Sequence, residues 1–202
     1  MESFEQKKDE WRDAILKERE NKSIDPFLKE ILLSYKGERK NALLLGDASL
    51  VQSNWFLNDQ GFEHVVDVDS SPSLLDDEIV PLSDTRLERV MTTFDLYDSK
   101  GQEFDCIYGK SIAFNPKELT PNLLKDLSRT LTNDGVFYAV WAGAGDSYRQ
   151  GISYTEEEIE SLYKDAGFEI LKKEEIEEQV KGLMGREGRA HYYKIFARHK
   201  GE

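Results

Sequence analysis

Asp69 closes the apolar run His64-Val65-Val66-Asp67-Val68-Asp69, and Gly46 closes an earlier one, Ala42-Leu43-Leu44-Leu45. A carboxylate at the end of a second buried strand, about 20 residues beyond the turn after the first, can accept hydrogen bonds from both ribose hydroxyls of a nucleoside. Gly46 and Asp69 have about that spacing. The turn itself, Gly46-Asp47-Ala48-Ser49-Leu50, carries one glycine where such turns carry two or three. A third acid, Asp95, follows the run from Leu87 to Phe94, and a carboxylate there can accept a bond from an adenine amino group. Plainer roles exist for each. Asp69 and Ser70 suit the N-terminus of a following helix, and Asp95 suits a solvent-facing strand end. Asp67 shares a face with Asp69 on a regular strand but lies one pleat repeat further from its end, so Asp69 ranks as the ligand-facing acid.

These positions need strands that end together. Residues 41–46, 64–69, 87–94, 104–109, 136–142, 168–176 and 191–198 read as strands, most of them continuously apolar. Helical patterns separate them: 3–20, with Phe4, Trp11 and Ile15 on one stripe; a restart capped by Asp25 with Pro26 at its first position, stopping near Gly37; 50–59; a helix opened by Ser70 or Ser71 and Pro72; 119–131; and 155–167, stopped by Gly167. Asn133-Asp134-Gly135 reads as a turn. The last two strands, with a Gly-rich link and no clear helix between them, pair best as an antiparallel hairpin. The expectation is a doubly wound α/β fold: a mostly parallel seven-stranded sheet, covered on both faces, with an antiparallel C-terminal hairpin. Residues 1–37 are expected to form N-terminal helices packed on a core domain of residues 38–202, one domain overall. Ligands of such sheets lie beyond the carboxyl ends of the strands, at Gly46–Ser49, Asp69–Ser71, Asp95–Leu96 and Gly109–Asn115.

Composition narrows the partners. A net charge of −13 disfavours a large nucleic-acid partner or an anionic membrane surface, since both need a basic face. No apolar run approaches the roughly 20 residues of a membrane span. The N-terminal stretch is charged at once and lacks a signal-peptide core, so a cytoplasmic location is expected. The one cysteine, Cys106, lies in an apolar run and reads as a buried, inert thiol. His64, His191 and His199 lack metal-ligand spacing.

In order and spacing, the chain resembles the class I methyltransferases that bind S-adenosylmethionine. Val65–Leu75 is similar to that family's second strand and acidic motif, and Thr92–Asp98 with Gln102–Gly109 to its third and fourth strands. Leu123–Val140 is similar to the helix, turn and fifth strand, with Asn133-Asp134-Gly135 where the family usually has Pro-Gly-Gly. Tyr154–Ile170 and His191–Lys200 are similar to the elements that close the fold. Trp11–Ala14 and Asp25–Leu32 weakly resemble a small-molecule branch that includes tellurite-resistance and thiopurine-type enzymes. The resemblance implies a Rossmann-like fold and S-adenosylmethionine as cofactor. It implies a small-molecule substrate and a site made of Gly46, Asp47, Asp69, Ser70, Asp95 and Leu96. Asp69 would hold the ribose, Asp95 and the Leu96 backbone the adenine, and the Gly46–Ser49 backbone the amino-acid end.

The chain departs from the family at the first loop. Leu44 stands where an acid is usual, and Ala48 and Leu50 replace the second and third glycines. Asp47 is the nearby candidate to replace the lost acid. The alternative function is an inactive protein of this fold that serves as a binding or regulatory partner. Elsewhere, Asn115-Pro116 is faintly similar to the loop of amino-group methyltransferases, and Lys110 is a candidate for neutralising a carboxylate. Gly143 and Gly145 suit either a mobile lid with Trp141, Tyr148 and Tyr154 lining a pocket, or a plain loop with packed aromatics.

Overall fold

A computed structural model describes residues 23–47, 49–70, 84–109, 117–147, 152–181 and 187–200, with helical positions at 13, 16, 17, 20 and 21. The first helical stripe therefore lies almost wholly outside the described residues, as do Ser71, Pro72, Lys110, Asn115, Pro116 and Tyr148.

Continuous apolar runs become the inner strands, buried on both faces, and the two edge strands are half-exposed. In chain order they are β1 (Asn41–Leu45), β2 (His64–Asp69), β3 (Leu87–Met91), β4 (Phe104–Gly109), β5 (Leu131–Ala142), β6 (Phe168–Lys181) and β7 (Glu187–His199). They form one sheet in the order β3-β2-β1-β4-β5-β7-β6. The first five are parallel, and β7 runs antiparallel to both β5 and β6. This is the expected sheet, with local differences in strand bounds. β3 stops at Met91, and Asp95 falls in a 3-10 turn, Phe94–Leu96. β5 starts earlier than the Asn133-Asp134-Gly135 pattern suggests, because Leu131 already pairs with Phe104. Cys106 then pairs with Val136, so the polar tripeptide is an excursion within the strand.

Strand alternation sorts side chains to two covers. Ala42, Leu44, Val65, Cys106, Tyr108 and Tyr138 face helices α1 (Pro26–Ser34) and α2 (Val51–Asn58). Leu43, Leu45, Val66, Ile107, Phe137 and Trp141 face α3 (Thr120–Arg129) and α4 (Glu156–Asp165). The α4 start is a capping box between Thr155 and Glu158, and Gly167, at φ 81°, ends that segment as expected. No helix among the described residues is long and apolar enough to cross a membrane.

The start of α1 is fixed by one carboxylate. Asp25 Oδ1 accepts from the Phe27 N–H at 2.9 Å and from Lys194 Nζ at 3.0 Å, while Oδ2 accepts from the Tyr138 hydroxyl at 2.8 Å. The helix cap is thereby tied to β5 and β7. Replacing Asp25 with Ala removes the cap and orphans two half-buried polar groups. We expect a loss of about 2–4 kcal/mol in urea unfolding, and a smaller loss for Asp25→Asn, whose amide oxygen still caps.

Candidate functional site

The carboxyl ends of β1 and β2 meet in register, with Leu45 paired to Val68. The Gly46 N–H then reaches across to the Val68 carbonyl at 3.0 Å. Gly46 has φ 91°, a conformation in which a side chain is strained. Asp69 is thus one residue beyond the level of the turn, 9% exposed, with Ser70 exposed beside it. Gly46, Asp47, Asp69 and Ser70 come together at these two strand ends. Asp95 lies beyond β3, exposed in its 3-10 turn. Leu96 is 73% exposed, but its N–H donates to the Thr93 carbonyl at 3.1 Å. That N–H is thus engaged within the turn, while the Leu96 side chain is exposed.

Leu50 occupies the third glycine position and keeps a glycine's backbone, with φ 57° and ψ 16°. It is the N-cap of α2, and its side chain is withdrawn into the protein, 2% exposed. A left-handed leucine costs about 1–2 kcal/mol, less than the 1.5–3 kcal/mol that burying its side chain contributes on the same rough scale. Ala48 lies outside the described residues.

Asp47 does not take the place of the missing acid. Its carboxylate is fully buried and faces the start of α2. It accepts from the Ser53 N–H at 2.7 Å, the Ser53 hydroxyl at 2.8 Å and the Ser49 hydroxyl at 3.2 Å. Leucine cannot cap, so Asp47 caps the helix from three residues upstream of the N-cap.

Asp67 was ranked below Asp69 on position, and the structure gives it a role the spacing did not signal. It is fully buried on the α1–α2 face, and no side chain among the described residues hydrogen-bonds to either carboxyl oxygen. Burial first, then the charges of Asp47 and Asp69, hold its carboxyl well above the ordinary carboxylate range, against the pull of Arg89 and of the Asp47 main chain.

The loop after β5 is fastened, not free. The Gly143 N–H donates to the His191 carbonyl at 2.7 Å, the Gly145 N–H to His191 Nδ1 at 3.0 Å, and the Ser147 N–H to the Arg189 carbonyl at 2.9 Å. A Cβ on Gly143 would meet the His191 ring at 2.5 Å, so glycine here permits close approach instead of hinge motion. Trp141 and Tyr154 are packed edge to face, and the Trp141 indole N–H donates to the Tyr163 hydroxyl at 3.0 Å. These two are core aromatics, so through residue 147 the segment matches the packed-loop alternative.

His191 also lies near Glu175 and Glu177, a set of types that can hold a metal. Because Nδ1 accepts from Gly145, the neutral ring carries its proton on Nε2, which donates to Glu175 Oε1 at 2.8 Å. A metal on Nε2 requires the opposite tautomer, so the arrangement suits a hydrogen-bonded latch. Cys106 is buried, and burial pushes its thiol far up, consistent with an inert side chain. An open groove of about 850 Å³, lined among others by Tyr35, Asn133, Glu169 and Arg198, lies at the opposite end of the sheet from the strand-end acids.

No family model matches the sequence, and no curated protein matches it. Solved structures do. TehB from Haemophilus influenzae superposes with a TM-score of 0.67 at 16% identity, over 88% of this chain and 63% of that one. A TehB-like SAM-dependent methyltransferase from Corynebacterium glutamicum gives 0.62 at 15%, over 97% of both chains. A 1,6-didemethyltoxoflavin N1-methyltransferase from Burkholderia thailandensis, solved with that substrate and S-adenosylhomocysteine, gives 0.64 at 16%, over 98% of this chain and 91% of that one. At these identities the likeness is one of fold: the chain has the class I methyltransferase fold.

Two outcomes follow from this geometry. Asp67 stays protonated in the folded protein at pH values where the unfolded chain, near the ordinary 3.8, has lost its proton. Its contribution to stability therefore falls as pH rises from that value through the raised one. Asp67→Asn removes the fall: by thermal unfolding without ligand, the variant gains about 1–3 kcal/mol over wild type at pH 8, and the gap closes toward pH 4. Leu50→Gly relaxes the backbone but loses a buried leucine, and its urea midpoint drops by the equivalent of about 1–3 kcal/mol.

Proposed function

We propose that this protein is an S-adenosylmethionine-dependent methyltransferase acting on a small molecule. The observation that carries the reading is the turn joining β1 to α2. Gly46 and Leu50 both hold left-handed backbones there, beside an acid at the end of the neighbouring strand. Helix N-termini and tight turns of this kind favour negatively charged ligand groups, here the cofactor's carboxylate. In this reading Asp69 accepts from the ribose hydroxyls, with Ser70 beside it, and Asp95 meets the adenine amino group. The backbone of the turn takes the amino-acid end. Exposed Met91 and Leu96 give the adenine an apolar neighbourhood.

The bound donor supplies an electrophilic methyl group on a sulfonium. The chain's share is alignment of the acceptor, which needs no dedicated acid or base when the acceptor is neutral. The acidic surface supports a small acceptor over a nucleic acid. The Burkholderia neighbour, with 1,6-didemethyltoxoflavin bound, supports the same class.

Calorimetric titration with S-adenosylmethionine and with S-adenosylhomocysteine tests this. Both should bind, and Asp69→Ala should weaken binding by at least about tenfold through loss of the ribose bonds. No binding of either at millimolar concentration sinks the reading.

A further inference from the structure

We propose that Asp67, on β2, supplies the carboxylate that the glycine-loop pattern places on β1, and that it is the partner of the cofactor's ammonium group. The assignment rests on the reading under Proposed function and concerns one end of that same site. Leu44, at the usual acid position, is paired in parallel register with Asp67. Register partners in a parallel pair point to the same face, and neighbouring strands are about 4.8 Å apart. The carboxyl has therefore moved one strand sideways, with no shift along the sheet.

Three observations favour a cationic ligand over a purely structural role. First, both Asp67 oxygens are buried with no side-chain hydrogen bond among the described residues, leaving the Asp47 main chain as the one donor that favours the charge, a state that costs free energy. Second, Gln52, in the first turn of the helix that the loop opens, has a buried Oε1 that is also unpartnered. Orphan acceptors require donors, and an ammonium carries three. Third, the competing acid is committed: Asp47 is bonded to Ser49 and Ser53. The charged groups acting on Asp67 are Asp47 from the loop, Asp69 from its own strand and Arg89 from β3. Arg89 is paired with Asp67 in register.

The test compares two ligands on the same protein. S-adenosylhomocysteine carries the ammonium; 5′-methylthioadenosine keeps the adenosine and sulfur but lacks the amino-acid end. By calorimetry, Asp67→Asn should weaken S-adenosylhomocysteine by about tenfold or more while changing 5′-methylthioadenosine by less than about threefold. The second ligand also reports that the variant is folded at the adenosine end. Moving the acid back, in the double variant Leu44→Asp with Asp67→Leu, should restore most of the lost affinity if the variant retains 5′-methylthioadenosine binding. Equal losses on both ligands, or an unchanged S-adenosylhomocysteine affinity, overturn the assignment and leave the broader reading intact. Wild-type protein that binds neither ligand removes both.

Discussion

The structure depends on where β1 ends. β1 is held between β2 and β4, and its last residue, Leu45, is in register with Val68 on one side and Gly109 on the other. A parallel sheet buried on both faces gives a strand no freedom to slip, because one residue of slip would exchange its two apolar faces. Once Leu45 is fixed, Gly46 must turn at that level. The Gly46–Val68 hydrogen bond closes the turn, and Asp69 projects one step above it. The helix that follows starts where the turn delivers it, with Asp47 reaching forward to cap it.

The fold was largely legible because its signals are periodic and local. β2 and β4 match their apolar runs residue for residue, and Asp25-Pro26 marked the α1 start that the structure shows. The errors are equally physical. Asn133-Asp134-Gly135 carries strong turn chemistry, yet pairing of Leu131 with Phe104 absorbs it as an excursion inside a strand. β6 and β7 extend well into what read as a glycine-rich link, since cross-strand pairing outweighs local composition there. The site was legible only in part. Spacing placed Gly46 and Asp69 together, but the direction of a side chain is not written in spacing. Asp47 looked available and is committed to a helix cap. Asp67 looked secondary and is fully buried, with its carboxyl held above the ordinary range. The one signal that pointed to it was the pair of acids at alternate positions of one strand, a pattern that places both on one face.

Asp67 also carries a cost for the fold. A carboxyl buried beside two other acids weakens the protein most where it must ionise. The fastening of the loop after β5 works in the opposite sense. The His191 and Arg189 carbonyls and the His191 ring bind that loop to β7, so this side of the sheet end is a fixed wall.

A glycine pattern is shorthand for a set of torsion angles. At residue 50 the shorthand fails while the angles persist, because a leucine whose side chain is buried elsewhere can hold the same left-handed turn. Loops of this kind are therefore better sought by backbone shape than by spelling. A chain whose letters match no family model can still hold the same turn.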